Sequence, residues 1–546
     1  KPRPQLLLSV WPEKIFLNGT QVGSTVSTAD VFSTALRIGV EYYGAAITSY
    51  MDGAISNFRI VTGSALYTSN FTPPNYAFPP NFNNTYLLTC QNYNFIDTFL
   101  NGLAHDGGLY IPKKIPRLSN STLKRLSRLN YNDLAYEIIK IYTGNTFSKN
   151  ELKKIITNSY KKFESKNVVK FSRVRKFNLV ELYHGPTLAF KDIAMQVIGN
   201  MYESILSRNK NRINLVTATS GDTGAAAIDA VKNKKNLRIF VLHPRGKVSK
   251  TQRKLMTTVN SKNVFNIAVK GSFDDCQTLV KSMFNDSHFR RSINMSGVNS
   301  INWARIVVQI VYYFYSHFRL SEKNKKSVFS VPTGNFGDIY AGYIAYKMGL
   351  PIAKLIIATN ENDLLHKFLR NGIYKPSKVK FSISPSMDIQ VASNFERLIS
   401  SYYNNNSKKI SELMKQLSNK GFYKIDKNIL KNIKNIFYSN SINAGNTKKT
   451  IRLVYQFNNK ILDPHSSVGL KALEDYYLNH RKKAENLFCL ETAHPAKFGE
   501  TIYKILRKYP KIPDAISKNL KKREFYKVLP NNLNKIKNYI RANRLN

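Results

Sequence analysis

The run His184-Gly185-Pro186-Thr187-Leu188-Ala189-Phe190-Lys191-Asp192 places a single lysine behind an apolar stretch that opens with Gly and Pro. A Lys beside an Asp is ordinarily a solvated surface pair. Here the flanking residues suggest a cleft, where a partly desolvated amine would be available near neutral pH to form a Schiff base. Two glycine-rich turns complete the set. Thr219-Ser220-Gly221-Asp222-Thr223-Gly224 follows one short apolar run, and Thr333-Gly334-Asn335-Phe336-Gly337-Asp338 follows another. In each, glycine lets the backbone approach a ligand closely, and free N–H groups at the start of the following helix favour a phosphate or carboxylate. Neither turn has the Gly-Lys-Ser/Thr ending of a P-loop or the G-x-G-x-x-G dinucleotide spacing. One reactive lysine with two anion-holding turns fits an aldehyde cofactor bearing a phosphate, namely pyridoxal 5′-phosphate.

The remaining chemically capable residues read as structural. His184, His465 and His494 are each expected to be satisfied histidines rather than acids or bases. Cys276 and Cys489 read as small buried apolar residues. Asp274-Asp275 lacks the His or Glu companions of a metal site and reads as a helix N-terminal charge pair. No metal is expected.

These residues need a frame. From about Phe95 onward helices alternate with strands. Leu134, Ile138, Ile141 and Tyr142 share one helical face, with Asn132 or Asp133 as N-cap. Ile213–Ala218 and Ser327–Val331 are short apolar strands, each running into a glycine turn and then a helix, at Ala225–Val231 and Ile339–Lys347. That recurrence predicts parallel βα units. Residues 402–446 are rich in Asn, Lys and Ser, with Ile429, Ile433 and Ile436 at helical spacing, and read as a surface helical insertion. The first 95 residues read differently. Asn18-Gly19 between strand-like runs signals a hairpin, and Leu36-Arg37-Ile38 and Phe58-Arg59-Ile60 alternate as half-buried strands do. A Pro-rich stretch from Phe71 to Pro80 interrupts them.

Composition sets outer limits. At 546 residues the chain should hold three or four compact units, and 42% hydrophobic residues exclude a mainly disordered chain. No stretch approaches the ~20 apolar residues of a membrane span. The net charge of +49 comes from lysines scattered among Asn and Ile, so no nucleic-acid partner is expected, although the field would draw small anions to a cleft. Three widely separated cysteines, Cys90, Cys276 and Cys489, exclude a disulfide framework and suggest a reducing, cytoplasmic location. The opening Lys1-Pro2-Arg3-Pro4 has neither initiator Met nor signal-peptide pattern, so the expectation is a start inside a longer reading frame.

Two resemblances follow. Tyr50–Ile60 with Ala65–Pro74, and Leu87-Leu88-Thr89-Cys90-Gln91, resemble the C-terminal part of concanavalin-like (laminin-G-like) jelly-roll modules. Such modules need roughly 150 residues to close both sheets, so residues 1–95 are expected to form a partial all-β sandwich. The resemblance implies glycan or surface contact, while the absence of an Asp/Asn ligand cluster favours a spacer.

The rest of the chain, from about residue 97, resembles the longer bacterial and fungal threonine synthases, within the fold type II pyridoxal-phosphate enzymes. The matching blocks are Asn101–Tyr110, His184–Asp192, Thr217–Gly224, Pro244–Ser249, Gly271–Gln277, Asn299–Asn302, Pro332–Asp338, Ser384–Asp388, Asp463–His465 and Thr492–Phe498. The resemblance implies an α/β, tryptophan-synthase-β-like architecture of two subdomains in residues 181–546, an N-terminal helical domain in 96–180, and the insertion at about 402–446. It implies Lys191 as the Schiff-base lysine, Gly334, Asn335, Phe336, Gly337 and Asp338 as the cradle of the cofactor phosphate, and Ser220, Gly221, Asp222 and Thr223 near the substrate carboxylate and the cofactor 3′-oxygen. Thr492 matches the partner of the pyridine nitrogen, where a neutral hydroxyl weakens the electron sink. The implied substrate is O-phosphohomoserine, with Lys247, Ser249, Arg305 and Lys497 as candidate grips on its phosphate. The family's opening segment is expected to be replaced near Asn94–Phe99 by the sandwich fragment, as in a sequence-assembly join or a recent fusion. Two other readings compete: a related type II lyase such as a dehydratase, and a carbohydrate-binding or tail-type surface protein carrying an inactive enzyme domain.

Overall fold

The computed structural model describes residues 94–104, 108–165, 167–298, 301–322, 325–480 and 485–545, together with the backbone of seven strands ahead of residue 94. Contacts divide the chain into two compact units, Lys1–Asn94 with Ala104–Gly108, and Phe95–Leu103 with Leu109–Asn546. No helix among the described residues is long and apolar enough to cross a membrane.

The first unit is built from strands. β1 (Leu6–Val10), β2 (Glu13–Leu17), β3 (Thr20–Gly23), β6 (Phe58–Val61) and β7 (Thr85–Leu88) form one sheet in the order β3-β2-β1-β6-β7, and β4 (Val40–Tyr43) pairs with β5 (Ala46–Tyr50). The β2–β3 pair joins Leu17 to Thr20 across two residues, as the Asn18-Gly19 signal requires. Asn18 and Gly19 themselves lie outside the described residues, as do Leu36–Ile38, the Pro-rich stretch and Cys90. Of the jelly-roll-like segments, Phe58–Ile60 lies in β6 and Leu87-Leu88 in β7, which pairs antiparallel with β6.

The second unit carries two parallel sheets. One contains β10 (Ile213–Ala218), β11 (Leu237–Pro244), β12 (Val264–Lys270), β13 (Met295–Ser296) and β20 (Lys527–Pro530), in the order β13-β10-β11-β12-β20 with every pair parallel. The other runs β18-β15-β14-β19-β9-β8. Its members are β8 (Lys170–Val174), β9 (Phe177–Glu181), β14 (Lys326–Pro332), β15 (Ile352–Thr359), β18 (Phe437–Ser441) and β19 (Glu485–Glu491), parallel except for the β8–β9 hairpin. A short antiparallel pair, β16 (Ile373–Tyr374) with β17 (Tyr423–Lys424), stands apart. The central strands are apolar and buried along nearly their whole length, because helices cover both faces of a parallel sheet. The helix Trp303–Leu320 is buried from Trp303 through Ser316 and belongs to the largest core cluster.

Local signals translate unevenly. The helix Tyr131–Thr143 is capped by Asn130, whose side chain accepts from the Asp133 N–H, rather than by Asn132 or Asp133. Its buried stripe is Tyr131, Leu134, Ala135, Ile138 and Ile139, so Ile141 turns outward, 37% exposed. Within 402–446 the helices Ser407–Lys420 and Lys427–Ile436 form as expected, and Ile433 and Ile436 are buried. The segment nevertheless also contains β18, which pairs parallel with β15 and is part of the main sheet. Asp275 completes a capping box with Ser272 at the start of the helix Phe273–Asn285, and Cys276 and Cys489 are buried.

Candidate active site

Lys191 is placed by a loop that glycine and the last strand hold together. A Cβ on Gly185 would lie 2.4 Å from the Asp192 Cβ, so only glycine fits where the chain doubles back. Leu188 takes a left-handed backbone, φ 60°, and its carbonyl accepts from the His494 N–H at 3.1 Å. Ala189 bridges Ala493, and the Phe190 N–H donates to the Thr492 carbonyl at 2.9 Å. Lys191 therefore opens the helix Lys191–Asn209 with its side chain only 13% exposed. Burial depresses the amine pKa; Asp222 opposes the fall, and the positive charges of Lys497 and Arg305 add to it.

The first glycine turn links β10 to the helix Asp222–Val231. Thr219 Oγ1 accepts from the N–H groups of Gly221 and Gly224, each at 2.9 Å, which closes the turn. Gly221 adopts φ 135°, and a Cβ there would meet Gln252 at 2.8 Å. Asp222 is the hub. Its Oδ1 takes Lys497 Nζ at 2.7 Å and Gln252 Nε2 at 2.8 Å, and its Oδ2 takes Ser386 Oγ at 3.0 Å and Lys191 Nζ at 3.3 Å. Burial alone would raise this carboxyl, but the charges of Lys497 and Lys191 outweigh it and hold the pKa well below the carboxylate range.

The second turn links β14 to the helix Gly337–Lys347. Phe336 sits at φ 65° and starts the helix, whose first N–H groups lack intrahelical acceptors. A Cβ on Gly334 would lie 2.8 Å from the Ser386 carbonyl. Asp338 accepts Tyr312 and Tyr313 hydroxyls on Oδ1, at 2.5 and 2.9 Å, while its buried Oδ2 has no hydrogen-bond partner among the described residues. Burial pushes this carboxyl up to about 6.

One cavity gathers Lys191, Asp222, Thr223 and Arg305 with the whole of Gly334–Asp338, and Thr492 closes a further wall. Arg305 is 4% exposed, its Nε has no partner among the described residues, and burial lowers its pKa to about 10. A buried guanidinium beside a glycine cradle and a helix N-terminus is a receptor for anions. A desolvated lysine at the same cavity adds the carbonyl-reactive group, so the residues present fit pyridoxal phosphate.

Other expected residues fall elsewhere. Ser220, Lys247 and Ser249 line a neighbouring cleft of about 600 Å³, and Gly221 shapes the turn without lining either space. Ser249 caps the helix Lys250–Thr257, accepting from the Gln252 N–H, and donates to the Lys497 carbonyl at 3.2 Å. Lys497, expected as a phosphate grip, lines the same cleft as Lys247 and Ser249. Its ammonium is fully enclosed, donating to Asp222 and, at 2.9 Å, to the Thr187 carbonyl, because a buried cation is held where acceptors converge.

The three histidines are all hydrogen-bonded. His184 lies 2.9 Å from Glu181, and His494 caps the short helix Pro495–Phe498 by accepting from Ala496, with burial lowering its pKa to about 4. His465 Nδ1 faces Asp463 at 2.8 Å while Nε2 accepts from the Ser386 N–H at 3.1 Å, which fixes the tautomer. Gln252 and the Ser386 hydroxyl were not singled out from sequence. Ser386 lies in a recognised block, whereas nothing in the pattern around Gln252 marks it. Of the blocks, residues 105–107, Asn299 and Ser300 lie outside the described residues. Among the described residues no group of His, Cys, Asp or Glu could hold a metal ion.

Family models match most of the second unit and reach into the end of the first. "Threonine synthase N terminus" covers residues 85–160, "Pyridoxal-phosphate dependent enzyme" 164–425 and "Threonine synthase, C-terminal" 466–540. A threonine synthase of Pseudomonas aeruginosa is 39% identical over 452 residues, covering 82% of this chain and 95% of that protein. One from Saccharomyces cerevisiae is 40% identical over 468 residues, covering 79% and 91%. Among solved structures, pyridoxal-phosphate-bound threonine synthase from Brucella melitensis superposes with a TM-score of 0.79 at 38% identity, covering 83% of this chain and 97% of that one. The yeast enzyme gives 0.78 at 37%, covering 84% and 96%.

Proposed function

The chain belongs to the threonine synthase family, and from that premise we propose that it converts O-phosphohomoserine and water to L-threonine and phosphate, as a pyridoxal-phosphate-dependent lyase. The observation that carries the reading is the convergence of a desolvated Lys191, the glycine cradle Gly334–Asp338 and the buried Nε of Arg305, which has no partner among the described residues, on one cavity. When bound there, the cofactor supplies an electron sink that makes hydrogens near the substrate amino group labile.

This chain's residues would then divide the work. Lys191 is the proton carrier at Cα and Cβ, since it is the amine within the cavity and burial leaves it ready to take and return a proton. The N–H groups at Gly337 and Asp338 would hold the cofactor phosphate, Thr492 would partner its pyridine nitrogen, and the Ser220–Thr223 turn would lie on the substrate carboxylate side. Arg305, with Lys247 and Ser249 at the outer cleft, grips the phosphate that leaves from Cγ before water adds at Cβ. A dehydratase is the weaker reading, because near 40% identity over most of the chain ties it to threonine synthases. The test is to supply O-phosphohomoserine to the cofactor-loaded protein and assay threonine and phosphate together. Equal yields support the synthase; no reaction with O-phosphohomoserine, but release of ammonia and a 2-oxo acid from added threonine or serine, would establish the dehydratase.

The same proposal divides the chain at residues 1–95, 96–180 and 181–546, with a cytoplasmic location supported by the low cysteine content. Residues 1–95 are read as a laminin-G-like fragment fused to the enzyme, supported by the strands β1–β6, while the threonine synthase N-terminus match begins at residue 85, ahead of that boundary. Glycan-array binding by residues 1–94, absent from residues 95–546, would test a surface role.

A further inference from the structure

Lys497 is a cation with no exposed surface whose position is tied to that of Lys191. The ladder that brings Leu188, Ala189 and Phe190 against Thr492, Ala493 and His494 fixes both ends of one short circuit. Lys497 donates back to the Thr187 carbonyl and forward to Asp222 Oδ1 at 2.7 Å. Gln252 donates to that same oxygen, so Oδ2 is left to face Lys191 and Ser386. The Asp463–His465 pair holds Ser386 from behind through its N–H.

We propose that Lys497 is a positioning residue that keeps Asp222 a carboxylate turned toward Lys191, and so governs when the Lys191 amine can react. This rests on the reading of Lys191 as the cofactor-binding lysine and goes beyond it. The charged and titratable groups facing this centre are Asp222, Lys497, Arg305 and Asp338 around Lys191, Asp192 beside Lys497, and His465 behind Ser386. With Lys497 present the triad of two lysines and one carboxylate carries a positive charge, and loss of the Lys191 proton leaves it neutral. Without Lys497 the same loss leaves a net negative charge in a buried site. Whichever of Lys191 and Asp222 holds the proton, removing a neighbouring cation makes it harder to lose.

The test is the rate at which the full chain, stripped of cofactor, captures added pyridoxal phosphate between pH 6 and 10, scored as borohydride-stable adduct at Lys191. Lys497→Met should move the midpoint of the rate profile up by about one pH unit, the lower end of what a charge at this distance does. Lys497→Gln, which keeps hydrogen-bonding capacity but not charge, should move it the same way and decides the matter if the Met variant does not fold. Lys497→Arg should leave the midpoint in place. A purely structural lysine would lower amplitude or stability and leave the midpoint fixed; neutral variants with an unmoved or lowered midpoint overturn the inference while leaving the proposed function standing. A wild-type chain that captures no cofactor at Lys191 overturns the function itself, and the inference with it.

Discussion

The two glycine turns are built alike and behave oppositely. Each follows a parallel strand, each starts a helix, and each puts an aspartate in that helix's first turn, Asp222 after β10 and Asp338 after β14. Asp222 receives donors on both oxygens, two of them lysines, and stays ionised. Asp338 receives two tyrosine hydroxyls on one oxygen and, among the described residues, nothing on the other, and burial raises its pKa to about 6. The carboxylate of the first turn is met in full by side chains from other elements. The second turn presents the backbone N–H groups of a helix N-terminus, which favour a phosphate, beside a carboxyl whose Oδ2 has no partner among the described residues.

The largest effect is expected at the residue between the turns. Lys191→Ala should lower turnover by about three orders of magnitude or more and abolish borohydride trapping, with far-ultraviolet circular dichroism unchanged. Persistent covalent trapping in that variant would show that the lysine is misassigned.

The same change at the two aspartates should have opposite signs. Asp222→Asn leaves Lys497 enclosed without its counter-ion and should destabilise the chain by about 3–5 kcal/mol in urea unfolding at pH 7. Asp222 has a depressed native pKa, so its stabilisation is present at neutral pH and is lost only as acid protonates it in the native state. Asp338→Asn keeps an acceptor for both tyrosines and removes a carboxylate that burial disfavours. Because the native pKa is raised, wild-type stability from this group is present below about pH 4 and is lost as pH rises through about 6. The Asn variant should therefore be more stable than wild type by about 2 kcal/mol at pH 8, with the gain vanishing near pH 4. If both variants lost stability equally at pH 8, the contrast between the turns would fail.

A smaller effect tests the cradle alone. Gly334→Ala sets a Cβ against the Ser386 carbonyl, 2.8 Å away, and should weaken cofactor affinity roughly tenfold by shifting the turn, with little change in unfolding midpoint. The smallest is expected from removing residues 1–94. The unit from Phe95 onward has its own core, with Phe99 packed on Tyr202 at 4.2 Å between ring centroids, so its cofactor affinity should not change. The shorter chain should scatter less light, since β3 and β7 are edges of an open sheet. Loss of cofactor binding on truncation would make the first unit a structural part of the enzyme.

Much of this was legible in the residues themselves. Short apolar runs ending in glycine turns marked β10 and β14 and the helices after them, because a strand buried on both faces and a tight turn each restrict composition strongly. The Lys191 block was legible for the same reason: Gly185 and the residues around it have no room for alternatives. Asparagine caps and the outward face of Ile141 were not, since neighbouring polar residues compete for one cap and a helix's buried stripe depends on what it packs against. The split between Asp222 and Asp338 lay beyond any local reading. Both are written as an acid at the head of a helix, and the donors that separate them come from Lys497, Gln252 and Ser386 in one case and from Tyr312 and Tyr313 in the other. Sequence thus singled out the residues proposed to do the chemistry and the two turns expected to hold anions. Only the tertiary structure decided which charge is met and which is left open, because electrostatic partners are chosen by distance in space and by burial, neither of which is written along the chain.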